Sequence, residues 1–241
     1  MKKYIKAIAA IAVVFASVSG AEMFNLASPD GKLVAEIDVS NKFAISAKFN
    51  GAQFVKNATV YATTNRYTYY NGLPYSLDHR YFRGENPSED FNQLEFSYTN
   101  NGYKVYVRAY NDALAFRVEV KKHPRVEKVV DEFVEIPSRG TRHCADLPLL
   151  FSIDHNVYAA FVEGNVGSYP QFKVKFDSKK KMYVSDFKKI KNSDEFESDY
   201  IYDLDGKGGF LPWRAFVPAY GYADPQIKNV KARLDKATTN K

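Results

Sequence analysis

The chain has 241 residues, of which 45% are hydrophobic and 15% aromatic, with one cysteine and a formal net charge of +6. A single cysteine excludes an internal disulfide framework and a cysteine-based metal site, so the hydrophobic core must hold the fold. Lys2, Lys3 and Lys6 contribute half of the net charge, so residues 22–241 carry only +3 (6 − 3) and give no reason to propose nucleic acid as a partner.

The first 21 residues have the layout of a secretory signal peptide. Three lysines precede an apolar run at residues 7–16, and Ser19, Gly20 and Ala21 supply the small residues that a signal peptidase reads. We expect cleavage between Ala21 and Glu22, which predicts an exported protein, either periplasmic or secreted. The apolar run is too short to span a bilayer comfortably, so no membrane association is expected after cleavage.

From residue 33 onward, apolar and polar residues alternate with the period of two that is typical of β-strands. The stretches 33–39 and 43–49 each place four apolar side chains on one face, and Asn50-Gly51 predicts a tight hairpin turn of the primed type. The pattern recurs at 94–98, 103–107, 114–120, 149–153, 157–162 and 172–176. Together these features predict an all-β fold, a large antiparallel β-sandwich with few helices.

We expect one domain over residues 22–223, followed by a polar tail at 224–241. Within this tail, Ile227, Val230 and Leu234 are spaced at i, i+3 and i+7. This spacing is the best candidate for a helix after residue 21.

Residues 64–86 depart from strict alternation and are rich in aromatic side chains. Tyr67, Tyr69, Tyr70 and Tyr75 lie there among polar and turn residues. Aromatic rings with a polar tip suit the apolar face of a pyranose, so these four are candidate carbohydrate-binding residues. The alternative is that they are half-buried strand aromatics.

No phosphate-binding glycine loop, nucleophile elbow or metalloprotease motif occurs in the sequence. The lone Cys144 follows His143, but adjacent strand residues face opposite sides of a sheet and form no nucleophile–base pair. Glu163 follows the apolar stretch 157–162 and precedes Gly164-Asn165. This glutamate is either an ordinary residue that ends a strand or a side chain that binds a ligand. The motifs present in the sequence do not by themselves predict a catalytic group.

Four short motifs occur in order along the chain. They are Ser28-Pro29-Asp30-Gly31-Lys32, Ala109-Tyr110-Asn111-Asp112 with Phe116-Arg117, Glu163 with Tyr169-Pro170, and Pro212-Trp213-Arg214. In this order they resemble the N-terminal domain of glycoside hydrolase family 97, a family of exported, calcium-dependent α-glucosidases and α-galactosidases. The resemblance extends over nearly all of residues 22–223, although Ala113 stands where the family's hairpin has Gly.

The resemblance implies a sandwich that docks on a (β/α)8 barrel and lends Glu163 as one ligand of a catalytic Ca²⁺. The other protein ligands and both catalytic carboxylates would belong to the barrel. Only 27 residues follow Arg214, whereas such a barrel needs about 200 or more. We therefore expect a solvent-accessible Glu163 at a strand end, and calcium binding only with a complementary catalytic domain.

Three functions are consistent with these expectations. The first is an exported, carbohydrate-associated β-sandwich domain that is non-catalytic on its own. The second is a truncated or partner chain of a calcium-dependent α-glycosidase, whose partner is a separate catalytic barrel chain. The third is a structural or interaction protein. An exposed apolar patch on the face that carries Glu163 would favour the second, and exposed aromatics between Tyr67 and Phe82 would favour the first.

Overall fold

A computed structural model of the chain describes most of the residues after position 21. The described residues are 22–40, 42–65, 68–69, 76–84, 86–98, 103–122, 128–139, 146–154, 157–164, 166–193, 195, 197–221 and 223–237, with backbone alone at 68, 69 and 76. The expected signal peptide therefore lies outside the described residues.

Seventeen strands and one α-helix make up the regular structure of the described residues, with a single 3₁₀ turn at Pro87–Glu89. In chain order the elements are β1 (Met23–Ala27), β2 (Leu33–Asp38), β3 (Ala44–Phe49), β4 (Ala52–Thr64), β5 (Thr68–Tyr69), β6 (Ser76–Phe82), β7 (Phe91–Tyr98), β8 (Tyr103–Tyr110), β9 (Leu114–Val120), β10 (Lys128–Pro137), β11 (Leu149–Asp154), β12 (Val157–Gly164), β13 (Val174–Asp177), β14 (Met182–Ser185), β15 (Tyr202–Asp203), β16 (Gly209–Phe210), β17 (Trp213–Ala219) and α1 (Pro225–Lys236).

The strands form two antiparallel sheets. The first sheet has the order β1-β2-β3-β4-β10-β14-β13, with β5 paired to β4 and β15 paired to β10. The second sheet has the order β11-β12-β17-β9-β8-β7-β6, with β16 paired to β9. The all-β sandwich predicted from the alternation is therefore confirmed, and residues far apart in the chain become neighbours on each sheet.

The alternation places one apolar face of each sheet in a shared core. On the first sheet, Leu33 and Ile37 of β2 are fully buried. The ring of Phe96, from β7 in the second sheet, packs edge-on against Phe24 and Phe43 of the first, with centroid distances of 5.4 and 5.2 Å. Such aromatic contacts add to the area buried between the sheets.

The predicted primed turn between β3 and β4 is also confirmed. Asn50 and Gly51 have φ angles of 49° and 80°. Positive φ at both central positions is the requirement of a type I′ turn, which matches the right-handed twist of the flanking strands.

The segment expected as a polar tail contributes α1, which packs on the outer face of the second sheet. Its predicted apolar positions, Ile227, Val230 and Leu234, are buried there. The Asp224 side chain caps the helix by accepting a hydrogen bond from the Gln226 backbone N–H at 2.9 Å. No helix among the described residues is long and apolar enough to cross a bilayer.

Gly164 ends β12 at a point where α1 approaches closely. A Cβ added there would lie 2.5 Å from Leu234 Cβ and 3.0 Å from the Asp235 backbone nitrogen. We expect Gly164→Ala to lower the free energy of unfolding by about 1–3 kcal/mol, because the helix must shift to accept the methyl group.

Urea denaturation measures this effect, with Gly221→Ala as the matched control. A Cβ at Gly221 would meet no atom within 4 Å. Both substitutions reduce the entropy of the unfolded chain similarly, so their difference isolates the helix contact. Equal stability of the two variants would contradict a close approach of α1 to β12.

Candidate functional site

An ionic cluster lies between the two sheets and is built around Arg214 of β17, which is fully buried. The register of β12 and β17 places Glu163 directly opposite Arg214, with Glu163 Oε2 3.1 Å from Arg214 Nη1. Glu132 comes from β10 in the other sheet, and its Oε2 accepts a hydrogen bond from Arg214 Nη2 at 3.1 Å. One guanidinium and two carboxylates thus join the sheets, and we call them the interior ionic cluster.

The segment between β12 and β13 covers the interior ionic cluster. The Phe172 backbone N–H donates to both carboxylate oxygens of Glu163, at 3.3 and 3.4 Å, and the Arg214 guanidinium carbon lies 4.7 Å from the Phe172 ring centroid. The Tyr169 hydroxyl is buried near Glu132, without a well-aligned hydrogen bond to any described residue. Phe172 lies before β13, which begins two residues later than the sequence pattern predicted.

Glu163 does lie at a strand end, as expected, but the expectation that it is solvent-accessible is wrong. Only 6% of Glu163 is exposed, and β12 extends one residue further, to Gly164. The carboxylate points into the sandwich because Arg214 and the Phe172 N–H together satisfy its charge there.

The role of Glu163 as a calcium ligand stays a prediction. Among the described residues, no group of three or more His, Cys, Asp or Glu side chains is arranged to hold a metal ion. A calcium ion takes six to eight oxygen ligands, most of which would have to come from elsewhere.

Burial raises the pKa of both carboxyls in the interior ionic cluster. For Glu132 and for Glu163, loss of hydration is the largest influence, and the positive charge of Arg214 opposes it. Burial and the charge of Glu132 likewise raise the pKa of the Tyr169 hydroxyl. The folded protein therefore binds protons here more tightly than the unfolded chain does.

This difference predicts a pH dependence of stability. The ordinary carboxyl pKa is 4.5, and between that value and the raised pKa the folded state holds more protons than the unfolded chain. The free energy of unfolding should therefore fall as pH rises through this window, by about 1.4 kcal/mol for each unit of upward shift.

We expect Glu132→Gln to make that fall shallower, because glutamine has no carboxyl proton to lose. Urea denaturation at intervals from pH 4 to 8 measures the slope. Glu195→Gln on the exposed surface is the control for removing one carboxylate. If the wild type and the Glu132→Gln variant show parallel slopes, Glu132 does not titrate differently in the folded state.

A second cluster lies on the outer face of the second sheet, next to α1. Arg108 of β8 is 5% exposed, and its guanidinium carbon lies 4.3 Å from the ring centroids of both Phe91 and Trp213. Its Nε donates a hydrogen bond to Gln93 Oε1 at 2.7 Å. The guanidinium is thus held between two aromatic faces.

Arg117 of β9 is the second arginine of this face. It is 3% exposed, and its guanidinium carbon lies 3.9 Å from the Phe210 ring centroid and 4.7 Å from that of Trp213. We call Arg108 and Arg117 the outer arginine pair. Trp213 contacts both arginines, while its sequence neighbour Arg214 points to the opposite side of β17 into the interior ionic cluster.

Openings on several sides border the outer arginine pair, including one of about 200 Å³ that Arg117 lines with Tyr169 and Phe210. A cleft of about 530 Å³ runs between α1 and the strands β6 to β8. Its lining includes Phe82, Phe91, Arg108, Tyr110, Asp112, Asn229, Ala232 and Arg233. A smaller cavity of about 170 Å³ lies further along the sheet, and both arginines line it.

The four sequence motifs meet in the fold. The contacts between them are the hydrogen bond from the Asp30 N–H to Asn111 Oδ1 at 3.0 Å, the Arg117–Trp213 contact and the Arg214–Glu163 ion pair. Residues that are widely separated in sequence are therefore direct structural partners.

The four candidate carbohydrate-binding tyrosines cannot be placed at a site. Tyr67, Tyr70 and Tyr75 lie outside the described residues, and Tyr69 is placed in β5 by its backbone alone. Their role in sugar binding stays a prediction. Tyr81, from the same aromatic-rich stretch, is 55% exposed.

Comparison with known proteins connects the first half of the chain to one family. The model of the glycosyl-hydrolase 97 N-terminal family matches residues 26–145. The chain is similar to the solved structure of a glycoside hydrolase family 97 enzyme from Pseudoalteromonas sp. strain K8 in complex with acarbose, with 13% identity and a TM-score of 0.57. It is also similar to a beta-arabinopyranosidase structure, with 16% identity and a TM-score of 0.60.

Both matches cover 81% of this chain, but only 35% and 40% of those two chains. The chain thus spans well under half the length of the enzymes that it matches. No curated protein sequence matches it.

Proposed function

We propose that this chain, which belongs to the glycoside hydrolase family 97 N-terminal domain family, serves as an exported, carbohydrate-associated domain that is non-catalytic on its own. The observation that carries the proposal is the placement of Glu132 and Glu163. Glycoside hydrolysis requires two carboxylates on either side of the scissile bond. Here Arg214 holds both carboxylates between the sheets, where a sugar has no access.

The cleft beside α1 supports the association with carbohydrate. Its volume of about 530 Å³ falls in the range of small-molecule sites. Phe82 supplies half-buried aromatic surface, and Asp112 and Asn229 supply hydrogen-bonding groups. Aromatic faces beside polar groups suit a pyranose, which has an apolar C–H face and a hydroxyl rim.

The alternative is a partner chain for a separate catalytic barrel. The share of the neighbouring enzymes that this chain spans, 35% and 40%, favours it. For Glu163 to reach a shared calcium ion, Arg214 must release it and the covering segment at Tyr169 and Phe172 must open. Calcium and the barrel would then bind cooperatively, because each completes the site of the other.

The proposed function is tested by titrating the chain with glucosides, galactosides and arabinosides and monitoring its NMR signals. We expect weak binding that Ala232→Trp abolishes, because the indole would fill the cleft that Ala232 lines. Ala52→Trp, at an exposed position on β4, is the matched control. Absence of binding by every sugar tested would refute the carbohydrate association, and release of an aryl group from aryl α-glycosides would refute the non-catalytic assignment.

Calcium should not stabilise the isolated chain. Arg214 and the Phe172 N–H engage Glu163, and one carboxylate supplies few of the oxygens that calcium needs. We expect no change in Tm at about 1 mM Ca²⁺, since a ligand far below its Kd adds almost nothing to stability. The melting curve is measured for the wild type and for Glu163→Gln. A calcium-dependent rise of several degrees in the wild type alone would show a complete site and contradict this prediction.

A further inference from the structure

The outer arginine pair shares one face of the second sheet. In the register of β8 and β9, Tyr106 lies opposite Arg117 and Arg108 lies opposite Ala115. The two arginines are therefore diagonal neighbours with side chains on the same side, a separation that long side chains bridge. Trp213 lies between their guanidinium groups, at 4.3 and 4.7 Å from the two guanidinium carbons.

The carboxylates of this face are already engaged by other groups. The pairs are Glu95 with Lys104, Glu119 with the Tyr106 hydroxyl, and Asp78 with Arg80. Among the described residues, the hydrogen-bond acceptor of Arg108 is the neutral amide oxygen of Gln93, and no carboxylate lies within ion-pairing distance of Arg117.

Two buried cations so close together are electrostatically unfavourable. Burial and the charge of Arg108 lower the pKa of Arg117 to about 10, and the charge of Glu119 opposes this shift only in part. Stacking on aromatic rings offsets part of the lost hydration, but a ring face supplies no lone-pair acceptor to the guanidinium N–H donors of Arg117. A bound anion would supply both the missing charge and the missing acceptors.

The space for such an anion is present. Both arginines line the cavity of about 170 Å³. Arg80 and Lys104 add positive charge to the lining, and the Glu95 carboxylate, which pairs with Lys104, adds one negative charge. Since one water occupies roughly 30 Å³ of liquid volume, this cavity has room for a planar or tetrahedral oxyanion with several waters. Guanidinium groups bind such oxygens in bidentate geometry.

We propose that the outer arginine pair binds one oxyanion, the carboxylate or sulfate group of a small ligand, in this cavity. The oxyanion can come from either of two sources, a free inorganic oxyanion or an acidic sugar such as a uronic acid. The second source rests on the proposed function. The cavity adjoins the larger cleft through Phe82 and Arg108, which line both, so a sugar ring in the cleft can place its acid group beside the arginines.

The experiment is a titration of the full chain with sodium sulfate at constant ionic strength, with chloride replacing sulfate. Trp213 is the only tryptophan in the chain and contacts both arginines, so its fluorescence reports locally on the site. We expect a saturable change. Arg117→Gln should weaken sulfate binding by about tenfold or more, because a charge-assisted hydrogen-bond pair is lost.

Arg139→Gln is the matched control, since that side chain is 66% exposed and pairs with Asp154 on the surface. It should bind sulfate as the wild type does. Arg117→Lys retains the charge and provides a second test if the glutamine variant does not fold. We expect several-fold weaker binding in the lysine variant, because an ammonium cannot bind an oxyanion in bidentate geometry.

Competition distinguishes the two sources. Glucuronate that displaces sulfate, while glucose does not, supports an acidic sugar as the ligand. Saturable sulfate binding without competition by glucuronate supports a free inorganic oxyanion. The inference would be overturned if sulfate changed the Trp213 fluorescence no more than chloride does. It would also be overturned if sulfate bound equally well to the wild type, Arg117→Gln and Arg117→Lys. Neither result would argue against the binding of neutral sugars in the cleft. The experiment therefore tests this inference independently of the proposed function.

Discussion

Replacing Arg214 with alanine should lower the free energy of unfolding by about 3–5 kcal/mol, the cost of breaking a buried ion pair by removing one partner. Arg214 is fully buried and contacts a carboxylate from each sheet at 3.1 Å. Without it, no described residue forms an ion pair with Glu132 or Glu163 between the sheets. Each must then bind a proton, draw water into the sandwich, or pull the sheets apart.

Urea denaturation at pH 7 measures this loss, with Arg139→Ala on the surface as the control for removing a guanidinium. The triple variant Glu132→Gln, Glu163→Gln, Arg214→Met removes all three charges and should be more stable than the Arg214→Ala variant. Lower pH should also restore part of the stability of Arg214→Ala, because protonation neutralises the Glu132 and Glu163 carboxylates that have lost their partner. A loss below about 1 kcal/mol would show that the interior ionic cluster does not hold the sheets together.

The strands that show alternation, and the helix, were predictable because the rules that set them are local, whereas several strands, among them β1, β4, β10 and β17, were not identified from the sequence. Alternation identifies the buried face of a strand, and the Asn50-Gly51 pair specifies its own turn type through positive φ. The spacing of Ile227, Val230 and Leu234 likewise indicates one apolar helix face before any partner is known.

The burial of Glu163 was not predictable in the same way. A carboxylate beside a turn is normally solvated, and its burial here depends on Arg214 in the next strand of the sheet and on the Phe172 N–H. Glu132 carried a local signal, since it shares the inward parity of Val134 and Ile136 in β10. That signal becomes interpretable only when a buried cation is known to face it from the other sheet.

The outer arginine pair shows the same limit. Because Arg117 alternates with Phe116 and Val118 in β9, it lies on the outer face of the sheet, where a charged residue is ordinarily exposed. Its exposed fraction of 3% results from Phe210 and Trp213, which arrive from β16 and β17. Pairing of distant strands therefore decides which charged residues of a sandwich are buried, and sequence spacing alone does not show it.

Trp213→Ala should be the other strongly destabilising substitution, with an expected loss of about 3–5 kcal/mol. Trp213 is fully buried among the apolar residues of β12, β17 and α1. Alanine would leave a cavity the size of an indole and would remove the aromatic face that Arg108 and Arg117 share. The indole Nε1 has no hydrogen-bond partner among the described residues, so the loss should come from packing and from the cation–ring contacts.

Circular dichroism during urea denaturation measures this loss, because the variant has no tryptophan fluorescence. Tyr220→Ala, at a residue that is 96% exposed, is the control for removing an aromatic ring. A double-mutant cycle with Arg117→Gln separates the two contributions, since residues in contact show coupling of about 0.5–3 kcal/mol. Coupling in that range means that Trp213 stabilises the buried arginine as well as filling space. Additive effects of the two substitutions would mean that Trp213 contributes only by filling space. Contacts other than those with Trp213 would then offset the cost of burying the arginine charges.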